Sequence, residues 1–264
     1  MKNVIIGQYI PGNSFIYRMD PRAKIMTIFL FVIIVFLANN FATYSLLVLF
    51  TIGAVFFSKV PVNYILKGLK PILWIVLFTL ILHLFMTKGG NVVLDFGWLT
   101  IYEGGIKQGI FISLRFILLI MVTSLLTLTT TPIEITDGME SLLSPFKRFG
   151  VPAHELALMM SISLRFIPTL MEETEKIIKA QSARGVDFTT GAIKERVKAI
   201  VPLLVPLFIS AFRRAEDLAL AMEARGYRGG EGRTKLRELV WKGADNLAFA
   251  ILAVLMVLLF ILRS

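Results

Sequence analysis

Glu175-Lys176-Ile177-Ile178-Lys179-Ala180-Gln181-Ser182-Ala183-Arg184-Gly185 is answered further along the chain by Glu216-Asp217-Leu218-Ala219-Leu220-Ala221-Met222-Glu223-Ala224-Arg225-Gly226. The Glu, both Ala, the Arg and the Gly fall at the same offsets in the two stretches. Each stretch closes a long helical pattern and lies in a polar region between segments of membrane-grade hydropathy. Gly185 and Gly226 suit the residue after a helix, because glycine enters the left-handed conformation there without steric cost. Arg184 and Arg225 then fall in the last turn, where a cation meets the negative end of the helix dipole. Ala180 and Ala183, like Ala221 and Ala224, keep one face slim, so another backbone can approach closely. A long guanidinium on a slim, blunt helix end can reach into a groove and pair with a carboxylate through two hydrogen bonds. One glycine-capped helix end is commonplace. Two at matched offsets read as a pair of plugs for two similar sockets on soluble partner subunits.

The remaining composition says what holds those plugs. The chain has 264 residues, of which 56% are hydrophobic, far more apolar than a soluble domain requires. It has no cysteine, which excludes disulfides and thiolate metal sites. The net charge of +10 would suit nucleic acid. In a chain this apolar it reads instead as basic residues kept on the inner side and drawn to anionic lipid, with no nucleic-acid partner. Met1 to Asp20 lack the apolar core of a cleavable signal.

Taken in order, residues 1–22 are a mixed polar lead-in with a turn at Pro11-Gly12-Asn13. Asp20-Pro21 is a helix start, with Asp as N-cap and Pro at the first helical position. Apolar runs follow at Ala23–Ala38, Phe41–Phe57, Pro71–Met86 and Ile106–Thr130, with a last one at Ala244–Leu262. Asn39-Asn40 breaks the first from the second, and Val92–Phe96 with Leu99–Tyr102 reads as a hairpin after the third. Lys2, Arg18, Arg22, Lys24, Lys59, Lys67 and Lys70 cluster at the lead-in and the 58–70 connection, whereas the 87–105 loop holds only Lys88. That asymmetry puts the N-terminus and residues 131–243 in the cytoplasm and the C-terminus outside. The expected fold is an all-α polytopic membrane protein with about five transmembrane helices. Its parts are 1–130 (lead-in and four spans), 131–243 (a cytoplasmic coupling region) and 244–264 (a last span).

The coupling region mixes acids and bases but keeps long apolar stripes. Residues 133–148 read as a short amphipathic helix broken by Pro145. Leu156, Met160, Ile167, Leu170, Met171 and Ile178 recur at helical spacing from Ala153 to Ala183, with Pro168 as a candidate kink. Such a helix, at roughly 30 residues, is about 45 Å long. Another runs from about Ile193 to Ala224. Its stretch Ala199–Phe212 is almost wholly apolar despite Pro202 and Pro206, and either packs as a coupling helix, the favoured reading, or dips into the bilayer. Both helices are more apolar than a solvated domain needs. They either bury each other or await a partner.

Catalytic signatures are missing. There is no Gly-x4-Gly-Lys-Ser/Thr phosphate loop, no His-Glu-x2-His, and only His83 and His154 among histidines. His83 reads as a packing histidine within a span, and His154 as a solvated one. Arg115, inside the fourth span, is a functional candidate by position. An alternative reading, a membrane enzyme acting on lipid with 131–243 as its interfacial catalytic region, lacks a carboxylate cluster, metal motif or nucleophile–base pair. A stand-alone carrier would want repeats within the spans, and the repeat lies outside them.

Ser14-Phe15-Ile16-Tyr17-Arg18-Met19-Asp20-Pro21-Arg22-Ala23-Lys24, together with the two Ala-Arg-Gly ends and Tyr227 after the second, resembles the transmembrane T component (EcfT) of energy-coupling factor transporters over nearly the whole length. Tyr17 stands where that family pattern has His. The resemblance implies a four-part importer: two ABC-type ATPases in the cytoplasm, a membrane S component that binds the substrate, usually a vitamin, and this chain between them. It places Ala183-Arg184-Gly185 and Ala224-Arg225-Gly226 at the ATPase contacts. Asp20, Pro21 and Arg22 match the N-terminal signature, without a derived role beyond starting a helix. Leu156, Met160, Ile167, Leu170, Pro202 and Pro206 are the candidate S-component contacts. The resemblance further implies the plasma membrane of a prokaryote, no cofactor or metal on this chain, and ATP consumed by the partner subunits.

Overall fold

A computed structural model describes residues 9–95, 100–186, 188, 193–230 and 238–263, with backbone only at 94, 95, 193 and 195–197. Lys2, Phe96 and Leu99, used above, lie outside the described residues. The elements in order are α1 (Pro21–Leu37), α2 (Phe41–Ser58), α3 (Val62–Met86), β1 (Val92–Asp95), β2 (Thr100–Tyr102), α4 (Glu103–Thr129), α5 (Pro132–Leu143), a 3₁₀ turn (Ser144–Phe149), α6 (Ala153–Ala183), α7 (Ile193–Ala224) and α8 (Gly243–Leu262). The fold is all-α and polytopic. The chain divides into two compact units, Met1–Met139 with Glu238–Ser264, and Glu140–Arg237.

The first unit holds the candidate membrane spans found among the described residues. α2, α3, α4 and α8 are each long and apolar enough to cross a bilayer. α1 has 17 residues, at the short end of the spanning range. It nonetheless lies at the heart of the unit. Phe31, Ile34, Val35 and Ala38 of its buried face pack with Tyr44 and Leu47 of α2, Leu118 and Val122 of α4, and Leu252, Leu255 and Leu259 of α8. Exposed faces are apolar too: on α3, Trp74 is 76% exposed and Phe78 61%, as lipid rather than water would favour. α3 begins at Val62, nine residues or so before the apolar run suggested, because Pro71 is accommodated inside the helix.

The helices alternate in direction. At one end, Ile10 N–H donates to Leu128 O at the close of α4, and Val60 and Ile65, flanking the α2–α3 turn, pack on Leu125 and Leu128. At the other end, the Asn40 side chain donates to Leu262 O, so the close of α8 meets the α1–α2 turn. Asn40 also forms a reciprocal capping box with Thr43, which makes the Asn39-Asn40 break sharp. α1 and α8 therefore run the same way. α3 and α4 approach closely where Gly105 and Gly109 offer no side chain: a Cβ on Gly105 would sit 2.8 Å from His83 O. This small-x3-small spacing is a membrane packing signal that the periodicity reading above passed over.

The second unit holds α6 and α7, which contact each other. α6 stays continuous through Pro168, and α7 through Pro202 and Pro206. Pro145 does end α5, as expected, by starting the 3₁₀ turn. Along α7, Val205, Phe208, Ile209 and Phe212 are 52%, 61%, 51% and 72% exposed, so the apolar stripes do not bury each other completely.

Candidate functional site: two matched helix ends and the helices that carry them

The two Ala-Arg-Gly ends close with the same pair of capping hydrogen bonds, although Arg184 N–H donates to Gln181 O and Arg225 N–H to Ala221 O. α6 closes with Arg184 as cap, Gly185 at φ +87°, Val186 N–H donating to Gln181 O at 3.0 Å, and Gly185 N–H to Ser182 O at 3.0 Å. α7 closes with Gly226 at φ +72°, Tyr227 N–H donating to Met222 O at 3.0 Å, and Gly226 N–H to Glu223 O at 2.8 Å. Both are Schellman caps, in which the left-handed residue turns the chain back onto the last orphan carbonyls. No atom would crowd a Cβ on either glycine, so the left-handed backbone alone makes glycine the fitting residue. Ala183, Arg184, Gly185, Ala224, Arg225 and Gly226 are all exposed, and so are Ala180 and Ala221. The arginines sit at the cap position itself, one step beyond the last helical turn.

Between the helices lies an apolar groove lined by Phe166 and Leu170 of α6 and by Ala211, Ala215, Leu218 and Met222 of α7. At its edge Arg214 Nη2 donates to Glu173 Oε2 at 3.1 Å. Leu170 is the candidate partner contact that faces this groove. Leu156 and Met160, 39% and 49% exposed, and Pro206 lie open, while Ile167 and Pro202 are half-buried.

The Asp20-Pro21-Arg22 signature acquires a structural role. Asp20 caps α1 by accepting from Arg22 N–H at 2.9 Å, and its carboxylate takes both Arg22 Nε and Nη2. Its own N–H donates to Asp245 Oδ1 at 2.9 Å, at the start of α8. Asp245 is fully buried and caps α8 through Lys242 N–H at 2.7 Å. Lys24 Nζ reaches Thr129 O and Thr130 Oγ1 at the close of α4. One polar knot thus ties three helix ends on a single side of the first unit. Burial would push the Asp20 carboxyl up, but the hydrogen bonds from Arg22 and the charges of Arg22 and Lys24 outweigh it and hold it below its ordinary value. The sequence supplied the N-cap, but no local pattern announced that Asp245 would join it.

Three further candidates resolve differently. Arg115 Nη2 donates to Ala38 O at 3.3 Å and the guanidinium lies 5.0 Å from the Phe36 ring, so it caps α1 within the chain. His83 Nδ1 lies 3.1 Å from Thr87 Oγ1 within the α3 end. His154, expected in solvent, instead lies 3.0 Å from Glu140 Oε1, and its ring leaves no room for a Cβ at Gly230. Among the described residues, no group of three or more His, Cys, Asp or Glu side chains could hold a metal.

A protein-family model described as cobalt transport protein, CbiQ, matches residues 12–236. The energy-coupling factor transporter transmembrane protein EcfT of Bacillus subtilis strain 168 is 67% identical over 264 residues, covering 100% of both chains. The proteins of the same description from Listeria innocua and Brevibacillus brevis are 60% identical over 264 residues and 55% over 259, covering 100% and 98% of each chain.

Proposed function

Because the chain belongs to the CbiQ family, as a non-catalytic EcfT-type transmembrane component of an energy-coupling factor transporter, we propose that it links two cytoplasmic ABC-type ATPases to a substrate-binding membrane S component for vitamin or micronutrient uptake. Each ATPase receives one Ala-Arg-Gly end in a surface groove. Arg184 and Arg225 supply the guanidinium, and the exposed alanines let the groove walls close on the helix. ATP is bound and hydrolysed by the partners. The S component rides on the apolar faces of α6 and α7, including Leu156, Met160, Ile167, Leu170, Pro202 and Pro206. The lead-in and residues 131–243 face the cytoplasm of a prokaryotic cell, which keeps the Lys-rich turns inside. Membership of a family of transporter components leaves the lipid-enzyme reading without support.

The observation that carries this proposal is the pair of matched Schellman caps. Two near-identical plugs suit two near-identical sockets, as a dimeric motor offers. When the sockets approach, two long helices that pack on each other and meet at the Arg214–Glu173 contact rotate or shear, and whatever rests on their apolar faces moves with them. Tagging the chain, purifying it from its native membrane and identifying its companions tests the proposal. Two nucleotide-hydrolysing subunits and one further membrane protein are expected. Recovery without any nucleotide-hydrolysing companion would overturn it.

A further inference from the structure

We infer that the end of the first unit where α1 turns into α2 holds the phosphate of an anionic phospholipid, with the Arg115 guanidinium as its ligand. Arg115 lies twelve positions after Glu103, about 18 Å into α4 by residue count, which alone would put it deep in the bilayer. Its contacts place it higher. Nη2 donates to Ala38 O at 3.3 Å, and the guanidinium lies 5.0 Å from the Phe36 ring. Ala38 caps α1 just before the sharp Asn39-Asn40 turn, and Asn39 Nδ2 donates to Arg263 O at the close of α8. Two helices thus end level with Arg115, and the 27 residues of α4 run on past them. A guanidinium level with those ends sits at the boundary of headgroup and acyl chain, where lipid phosphates lie. Phe36 beside it is 60% exposed, so the position is open on the surface of the unit.

The positive charge there has no counter-ion. A guanidinium carries five N–H donors. Among the described residues Ala38 O is the one acceptor for Arg115, its Nε is buried without a partner, and no carboxylate lies within ion-pair distance of it. α1 has no acid after its cap Asp20, α2 and α3 have none, and α4 has only Glu103. Asp95 belongs to β1, ahead of Glu103 in the chain, and Asp245 of α8 sits with Asp20 at the opposite end. Cations gather instead. Lys107 precedes Arg115 by eight positions on the same face of α4, about 12 Å along the axis. Its Nζ lies 5.9 Å from the ring of Phe111, which stacks on Tyr44 of α2 at 4.7 Å. Arg263 closes α8 beside the same turn. An unpaired guanidinium against hydrocarbon is expensive. A phosphate supplies the missing anion, and the free Nη donors suit its oxygens. A zwitterionic headgroup would bring its own cation to this cationic patch, so the anionic class fits it better.

The full-length chain, without ATPases, is reconstituted in nanodiscs of phosphatidylcholine that carry a trace of phosphatidylglycerol with a photoreactive diazirine on its headgroup, and the labelled peptides are mapped by mass spectrometry. Labelling should concentrate at residues 36–40 and 107–115. It should fall when unlabelled phosphatidylglycerol replaces part of the bilayer, and persist when zwitterionic phosphatidylethanolamine does so or when inorganic phosphate is added in excess. Arg115→Gln should lower labelling at these residues about fivefold, the effect of one basic side chain at an anionic surface, and Arg115→Lys should retain most of it. Labelling elsewhere should be unchanged, which separates loss of the site from loss of the fold. Labelling spread evenly over the exposed apolar faces, equal competition by phosphatidylethanolamine, displacement by inorganic phosphate, or wild-type labelling of Arg115→Gln would each overturn the inference. So would a crosslinker on Phe36→Cys that captures protein rather than lipid in the native assembly. The competition arm needs no variant, so it decides the matter even where Arg115→Gln does not insert. Because no ATPase is present, failure here is distinct from failure of the coupling proposal.

Discussion

Glu173 and Arg214 form a 3.1 Å ion pair between α6 and α7, and they are separated by 41 positions. That is the same separation that relates Arg184 to Arg225 and Glu175 to Glu216. The helices therefore touch at equivalent points of the repeat. From that touch, each arginine cap lies the same number of residues further on, roughly 16 Å along its own helix at 1.5 Å per residue. The two caps therefore lie equally far along their helices from that contact. Under the function proposed above, that equality suits a motor whose two halves move symmetrically.

Equal distances predict equal sensitivity. Arg184→Glu and Arg225→Glu should each weaken co-purification with the ATPases, by similar factors, and the double variant should lose it. Membrane insertion should be unchanged. Arg→Ala should cost less than Arg→Glu, because reversal adds repulsion to the loss of attraction. Quantitative pull-down of the ATPases reads all of these. Normal association of the double variant would count against the proposed contacts.

The Glu173–Arg214 pair itself is part-exposed, with side chains 27% and 36% accessible, so its worth to stability is small, about 0–1 kcal/mol. Its value should appear in coupling rather than in folding. Glu173→Arg or Arg214→Glu should lower transport per ATP hydrolysed while shifting the melting temperature little. The double swap, which restores opposite charges, should recover coupling. A double-mutant cycle on transport rate checks this.

Gly185→Ala and Gly226→Ala should each destabilise the local helix end by about 1–2 kcal/mol, the strain of a Cβ in the left-handed region. Asn, which tolerates that region, should cost less, and Val more. Amide exchange at Val186 and Tyr227, whose N–H groups close the two caps, reports the fraying directly.

The knot at Asp20 predicts an acid limb in stability. Its carboxyl is held below its ordinary value, so the stabilisation is fully present above the unfolded value of about 3.9 and fades as pH falls through the lower folded one. Thermal unfolding in detergent should show a falling midpoint across that acid range. Asp20→Asn should lower the midpoint at neutral pH and flatten the acid limb. An unchanged limb would assign the acid response to other groups.

Much of this fold was legible because lipid imposes simple rules: long apolar runs, polar breaks and basic residues on one side. The helix ends were legible because Gly185 and Gly226 each occupy a position that only a narrow set of residues fills comfortably. What escaped was non-local. Asp245 reads as one acid at the start of an apolar run, yet it anchors Asp20 from the far end of the chain. His154 carries no local sign that Glu140 and Gly230 will enclose it. The start of α3 was misjudged because Pro71 looked like a boundary, whereas a membrane helix absorbs a proline more readily than a soluble one. Repetition at a fixed offset could have disclosed the Glu173–Arg214 contact, since equal positions of a repeat often meet on an axis.

The account turns on the two caps seating in two separate ATPase grooves. With no native cysteine in the chain, Arg184→Cys and Arg225→Cys can each carry one photo-crosslinker in the native assembly. Illumination followed by mass spectrometry should join each site to an ATPase subunit, with both subunits captured when both sites are labelled. Crosslinks from either site only to lipid, or only to this chain's own helices, would contradict it.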